Sequence, residues 1–321
     1  MTGTQPVTFG LKTSPVHTTY EEIQRAWLQA DEVPETAHAW LWDHMLPLTG
    51  PKDGNIFEGW TLLAALAAQT RRLQLGLLVT SNLTRQPAVL GKIATTVDVI
   101  SGGRLVLGIG VGGTHQPPGT YGIPGDNPGV VEYAAYGLTM VSPGEGIGRL
   151  AESLEILRRM FTEDTFDFHG RYYTLTGTRN EPKPLQLSGP PVLVGGSGTR
   201  LLRLAAEHAD IWNVPGPPHT SLEFVTERAR VLDQHCADIG RDPASITRSV
   251  QLLFRADDAA DARTTILDLT AAGFGHIVMA VRPPWPVGNL PRWLADEIIN
   301  PVRDQLGSPA VHAEVRGRPE S

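Results

Sequence analysis

The residues best able to do chemistry are Asp43 and His44, which close the apolar run His38–His44 (HAWLWDH). An imidazole titrates near pH 6.5 (its ordinary value, about 6.5), which suits proton transfer at neutral pH. Asp43 beside it could orient the ring or accept from a ligand, or could be an ordinary turn-forming aspartate. The second group is Gly195-Gly196-Ser197-Gly198, which runs from an apolar stretch into a helix expected from Thr199. Amides at a helix N-terminus favour phosphate, and missing Cβ atoms allow close approach. Arg200 in the first turn could add charge. The same four residues could equally form a tight turn with no ligand. A third glycine cluster, Gly108-Ile109-Gly110-Val111-Gly112-Gly113, lacks the following helix and acidic residue of a dinucleotide fingerprint. No G-x-x-x-x-G-K-[ST], G-x-S-x-G or H-E-x-x-H occurs. No metal site is therefore expected.

These groups need elements to hold them. Short apolar runs alternate with helical stretches along the chain. The expected strands are Val7–Lys12, His38–His44, Leu73–Thr80, Arg104–Val111, Pro191–Gly196, Ile211–Pro215, Ile246–Arg255 and His276–Arg282. Helices are expected at Tyr20–Val33, Gly59–Thr70, Pro87–Ile100, Arg149–Phe161, Thr199–Ala209, Ser221–Ile239, Asp261–Ala272 and Pro291–Leu306, with an extra strand at Tyr172–Thr176. Apolar strands between helices indicate a parallel sheet covered on both faces. Eight units fit an α/β fold of the (β/α)₈ TIM-barrel type, with an open doubly wound sheet as the alternative. A single domain is expected over 1–306, with a Gly/Pro-rich insertion at 114–148 as a lid or dimer decoration and a flexible tail at 307–321. In a barrel, function gathers at the carboxyl ends of the strands. Those ends hold Thr13-Ser14, Asp43-His44, Thr80-Ser81-Asn82, Gly110 to Gly113, Gly195 to Gly198, Asn213, Arg255 and Arg282. With one acid and two bases, that set suits a flat neutral ring with an anionic tail better than paired metals or paired carboxylates.

The 321 residues carry 27 Lys and Arg against 34 Asp and Glu, a net charge of −7. That balance argues against nucleic acid and anionic membranes as partners. Cys236 alone rules out an internal disulfide framework. No signal-like N-terminus and no apolar run of transmembrane length occur, so a cytoplasmic protein is expected. The 34 glycines and 26 prolines form no repeat and require placement in turns and loops.

Read together, the pieces resemble the luciferase-like flavin and deazaflavin oxidoreductases. Ala39-Trp40-Leu41-Trp42-Asp43-His44 looks like the family's second-strand motif, and Glu58–Thr70 (EGWTLLAALAAQT) is similar to the helix after it. Leu75–Gly113 resembles its most recognisable stretch. Phe168–Tyr173 (FHGRYY) and Pro182-Lys183-Pro184-Leu185-Gln186 match its approach to the fifth strand. Val194–Asn213 (VGGSGTRLLRLAAEHADIWN) is similar to the branch that uses coenzyme F420.

The resemblance implies a (β/α)₈ barrel, a homodimer and hydride transfer at C5 of the deazaflavin. His44 would move a proton beside that centre, with Asp43 near the ring. Thr80 and Thr84 would bond the ring edge. Ser81-Asn82 would stand where several members have a non-prolyl cis peptide behind the ring. Gly110 and Gly112 would line its face, and Gly195, Gly196, Ser197 and Gly198 would hold the phosphate. Departures are Leu48 and Gly113, where the sugar-phosphate dehydrogenases of the family carry Trp and Glu. Leu48, with Trp42 and Trp285, suggests a less polar acceptor such as an enone or imine. The alternatives are an FMN-dependent monooxygenase served by a flavin reductase, and a non-catalytic flavin-binding barrel.

Overall fold

A computed structural model describes residues 6–48, 50, 51, 53–115, 128–217, 220–282 and 288–307. The first half of the fold comprises β1 (Thr8–Lys12), α1 (Tyr20–Glu32), β2 (His38–Leu41), α2 (Gly59–Gln69), β3 (Gln74–Leu77), β4 (Thr80–Ser81), α3 (Pro87–Ser101) and β5 (Leu105–Gly110). Then come α4 (Pro128–Ala135), α5 (Pro143–Thr162), β6 (Phe166–His169) and β7 (Thr174–Thr178). The second half is β8 (Val192–Gly195), α6 (Thr199–His208), β9 (Ile211–Val214), α7 (Leu222–Asp238), β10 (Thr247–Arg255), α8 (Ala259–Ala271), β11 (His276–Arg282), α9 (Leu290–Leu294) and α10 (Asn300–Leu306).

Strands β1, β2, β3, β5, β8, β9, β10 and β11 pair in parallel, and β11 returns to β1, so the sheet closes. The open-sheet alternative is thereby excluded. Side chains alternate between two apolar layers. Phe9 and Leu11 on β1 and Leu75 and Leu77 on β3 belong to the apolar layer shared with the helices. The residues between them point inward, where Trp40, Leu78, Val106, Leu193 and Val278 form a separate apolar cluster. Gly76 makes the room: a Cβ there would lie 2.7 Å from the Trp40 ring.

Local chemistry sets the helix ends. Thr19 and Glu22 form a reciprocal capping box on α1, and Ile23, Trp27 and Ala30 bury one face at helical spacing. Such a cap is worth about 1 kcal/mol. Pro87 opens α3 at its first turn, and Gly102 ends it in the left-handed region at φ 73°.

Four expectations are corrected. The insertion expected at 114–148 is not a loop throughout, because its described residues include α4 and the start of α5. Helix α5 begins at Pro143 rather than Arg149, because Ser142 accepts from the Glu145 amide and caps it. The strand expected at Tyr172–Thr176 is β7, which pairs antiparallel with β6 as a hairpin outside the barrel. The last helix is also interrupted by a π-helical segment, Ala295–Ile299. Pro301 has no amide for the Glu297 carbonyl, and Arg263 donates to that oxygen at 2.7 Å instead. Residues 116–127 of the insertion, Trp285, and the tail from 308 onward lie outside the described residues.

Candidate active site at the barrel mouth

Asp43 follows β2 and is buried. Its carboxylate accepts two hydrogen bonds from Arg85, at 2.5 Å to Oδ2 and 3.0 Å to Oδ1, and one from the Thr80 hydroxyl. Arg85 also bonds Glu58, whose carboxylate caps α2. Trp60 Nε1 donates to Thr80 Oγ1 at 3.1 Å. Burial pushes the Asp43 carboxyl up, against the opposing pull of Arg85 and Thr80. Asp43 and Thr80 therefore form a sealed knot tying β2 to β4. No hydrogen bond joins either to His44, and Thr80 is fully buried, its hydroxyl donating to Asp43 and accepting from Trp60.

His44 is oriented by a residue from α4. Its Nδ1 lies 2.9 Å from Glu132 Oε2, with the histidine side chain 37% exposed and the glutamate 3%. Glu132 Oε1 also accepts from the Met45 amide. A carboxylate on Nδ1–H fixes the tautomer and turns Nε2 to the opposite side of the ring. The next residue, Tyr133, accepts from the Gly113 amide at 2.8 Å and meets Ser81 Oγ at 2.6 Å. Burial raises the Tyr133 phenol, so it stays a hydroxyl. Two consecutive residues of α4 thus fasten it to the mouth on both sides.

The opposite wall is built around Val79. The cis peptide stands at Leu78-Val79, between β3 and β4, and not at Ser81-Asn82. A Cβ on Gly110 or on Gly195 would come within 2.8 Å of a Val79 methyl. These two glycines therefore make room for Val79. Gly112 has φ 90°, and a Cβ there would lie 2.2 Å from Ser81 Oγ. Thr84 Oγ1 donates to the Ser81 carbonyl at 2.9 Å. Asn82 is buried at 2% exposure, its amide donates to the Gly110 carbonyl, and its Nδ2 has no partner. Asn82, Thr84, Arg85, Thr139, Arg149 and Tyr173 line a cleft of about 490 Å³ that opens beside this wall.

Gly195 to Gly198 lead into α6 as expected. Gly196 takes φ 138°, its amide donates to the Asn213 carbonyl, and its carbonyl accepts from Trp212 Nε1 at 2.8 Å. Gly198 is the exposed N-cap residue of α6, without a side-chain cap and with open space where a Cβ would stand. Ser197 is partly exposed beside it. Uncapped first-turn amides and an approachable backbone are what a phosphate requires.

The floor of the mouth holds a cation that the sequence reading left out. Lys12 Nζ donates to Gln251 Oε1 at 2.6 Å. Strands β1 and β10 both flank β11 and do not pair with each other, so this bond crosses the barrel interior. Lys12 also sits 5.8 Å from the centre of the Trp42 ring, which meets His44 edge-on at 5.3 Å. Burial lowers the Lys12 amine to about 8. Deeper down, His38 and His276 stack at 3.9 Å. Trp40 Nε1 donates to His38 Nδ1, and Asn213, Ser249 and His276 form a chain. These histidines are structural.

The mouth thus brings together His44, Asp43, Ser81, Asn82, Thr84, Gly110, Gly112 and the Gly195–Gly198 turn. Arg255 and Arg282 are exposed. Lys12, Glu58, Arg85, Glu132 and Tyr133 enlarge the charge expected there. Lys12 was legible as an inward residue at a strand end, since it alternates with buried Phe9 and Leu11. Among the described residues, no group of three metal-ligating side chains occurs, and no helix is long and apolar enough to cross a membrane.

The chain is 31% identical over 201 residues to a phthiodiolone/phenolphthiodiolone dimycocerosates ketoreductase of Mycobacterium kansasii, covering 60% of this chain and 48% of that protein. A homologue of the same description from Mycobacterium bovis is 29% identical over 236 residues, 70% of this chain and 55% of that protein. The chain spans about half the length of these curated relatives. Its fold is similar to an F420-dependent secondary alcohol dehydrogenase solved with an F420-acetone adduct (TM-score 0.76, 14% identity, 93% of this chain and 99% of that one). It is also similar to a riboflavin lyase holding modified FMN (TM-score 0.72, 13% identity, 96% and 94%). At such identities the likeness shows the barrel alone. The sequence profile described as luciferase-like monooxygenase matches residues 14–289, most of the chain, and the protein belongs to that family.

Proposed function

We propose that the protein is a coenzyme F420-dependent oxidoreductase that moves a hydride between the deazaflavin C5 and a small organic acceptor. The observation that carries this reading is His44 at the barrel mouth, held through Nδ1 by buried Glu132, together with the open, uncapped Gly198 at the start of α6. Further support comes from the F420 enzymes that share the fold and from the curated ketoreductases.

The residues present fit such a cofactor. Asn82 Nδ2 is a buried donor without a partner, ready for a ring acceptor. Gly195, Gly196, Ser197 and Gly198 present the uncapped start of α6 to a phosphate. Val79 and Gly112 shape a surface against which a flat ring can lie. When bound, reduced F420 supplies the hydride. His44 Nε2 holds or takes the accompanying proton, Glu132 keeps the ring in register, and α4 limits water at the mouth. Leu48 and Trp42 give the acceptor a largely apolar surround.

His44→Ala tests the assignment. Turnover with reduced F420 should fall about 10²–10⁴-fold while F420 affinity stays within a few fold. Unchanged turnover would remove His44 from the chemistry.

A further inference from the structure

The mouth contains a cation that the proton-transfer account does not use. Lys12 lies at the carboxyl end of β1, with its side chain inside the barrel, where it reaches across to Gln251 on β10. The neighbouring carboxylates are already committed. Asp43 is held by Arg85, and Glu132 by His44 and the Met45 amide. Among the described residues, no carboxylate forms an ion pair with Lys12. Its ammonium carries three donors, and Gln251 Oε1 is a neutral acceptor for one. Withdrawing such a charge from water is costly unless something polar or anionic completes its shell. Trp42 connects the position to the reacting end of the site, since its ring stands over Lys12 and meets His44 edge-on.

We infer that Lys12 is a substrate-binding residue whose ammonium receives the oxygen of a carbonyl-bearing acceptor, so that the substrate class is a ketone or enone rather than an imine. The inference deepens the oxidoreductase reading and takes the hydride donor from it. For a ketone, the carbonyl carbon accepts the hydride and its electron pair from reduced deazaflavin. The C=O π pair moves to oxygen, where Lys12 offsets the charge, and the oxygen takes a proton to give the alcohol. The acceptor is reduced and the deazaflavin oxidised. Lys12 and His44 thus divide the labour: Lys12 holds the oxygen and His44 supplies the proton.

Matched probes test this without knowledge of the natural substrate. Acetophenone and ethylbenzene share a ring and differ in the carbonyl. Their Kd values are measured on the wild type, Lys12→Met and Lys12→Gln, each with and without bound F420, and thermal unfolding verifies that both variants fold. The expected result is a shift of the acetophenone-to-ethylbenzene affinity ratio by tenfold or more toward ethylbenzene in both variants. A ratio that stays within threefold overturns the inference. Loss of F420 affinity with an unchanged ratio also overturns it, since Lys12 would then serve the cofactor. A shifted ratio in a protein that does not bind F420 upholds the Lys12 site while the cofactor reading fails.

Discussion

Glu132 Oε2 lies 2.9 Å from His44 Nδ1, joining α4 to the loop after β2. The carboxylate thus reaches the mouth from a helix, in a stretch that the sequence alone suggests is a loop. Glu132→Ala removes the acceptor of Nδ1–H. The imidazole ¹⁵N spectrum should change from a single Nδ1–H tautomer to a mixture. Turnover should fall roughly 10²-fold, within the range of a positioned general acid. Glu132→Gln, which keeps an acceptor oxygen, should restore most of the tautomer preference. Identical spectra for wild type and Glu132→Ala would show that the bond does not orient the ring.

The Asp43–Arg85 pair is mostly structural. Removing one member of a buried pair leaves the other uncompensated, at a cost of about 3–5 kcal/mol. Arg85→Met should therefore unfold at clearly lower urea concentration than the wild type. A loss below about 1 kcal/mol would mean that the knot around Asp43 is open to water.

Gly195 and Gly110 are predicted to act through Val79. Gly195→Ala places a Cβ 2.8 Å from a Val79 methyl, and overpacking of this kind costs about 1–3 kcal/mol. Val79→Ala in the same chain should recover part of that loss, giving a favourable coupling in a double-mutant cycle. Strict additivity would separate the two positions.

The buried histidines set the acid limit of stability. Burial lowers His276 to about 4, against an ordinary 6.5, and lowers His38 as well. Between pH 6.5 and 4 the unfolded chain takes up a proton that folded His276 refuses. Stability is therefore complete above about pH 6.5 and falls as pH drops through that window. At about 1.4 kcal/mol per unit, the loss from His276 approaches ~3 kcal/mol. Urea unfolding at pH 7, 6 and 5 should show this slope, and His276→Gln should flatten it. Parallel profiles would contradict the assignment.

Lys12 has the same sign of pH dependence, moved into the alkaline range. The folded amine loses its proton near pH 8, while the unfolded one keeps it to about 10.4. Holding the charge costs stability below pH 8, and that cost fades as pH rises from about 8 to 10. Lys12→Met should stabilise the protein at pH 7 by roughly 1–2 kcal/mol after solvent screening, with the gain shrinking at pH 10. A gain independent of pH would indicate better packing alone.

Much of the architecture was legible because parallel strands are apolar throughout and alternate with helices of a different period. The eight barrel strands and the glycine turn before α6 follow from those patterns. The break in the third strand was not, since nothing in Leu73–Thr80 distinguishes a non-prolyl cis bond from a continuous strand. The committed partners of the site were hidden for another reason. Arg85 reaches Asp43 across 42 positions and Glu132 reaches His44 across 88, distances over which local periodicity is silent. A signal did exist for α4, since Val130-Val131-Glu132-Tyr133 is a short helical run between prolines and glycines. Reading it would have placed an acid and a phenol in the expected lid.

The choice of cofactor is decided by parallel fluorescence-quenching titrations of the pure protein with F420 and with FMN. The expected result is saturable F420 binding that is tighter than FMN binding and is weakened by Gly196→Val. Tight FMN binding with no detectable F420 binding would contradict it and would assign the barrel to a flavin monooxygenase fed by a reductase.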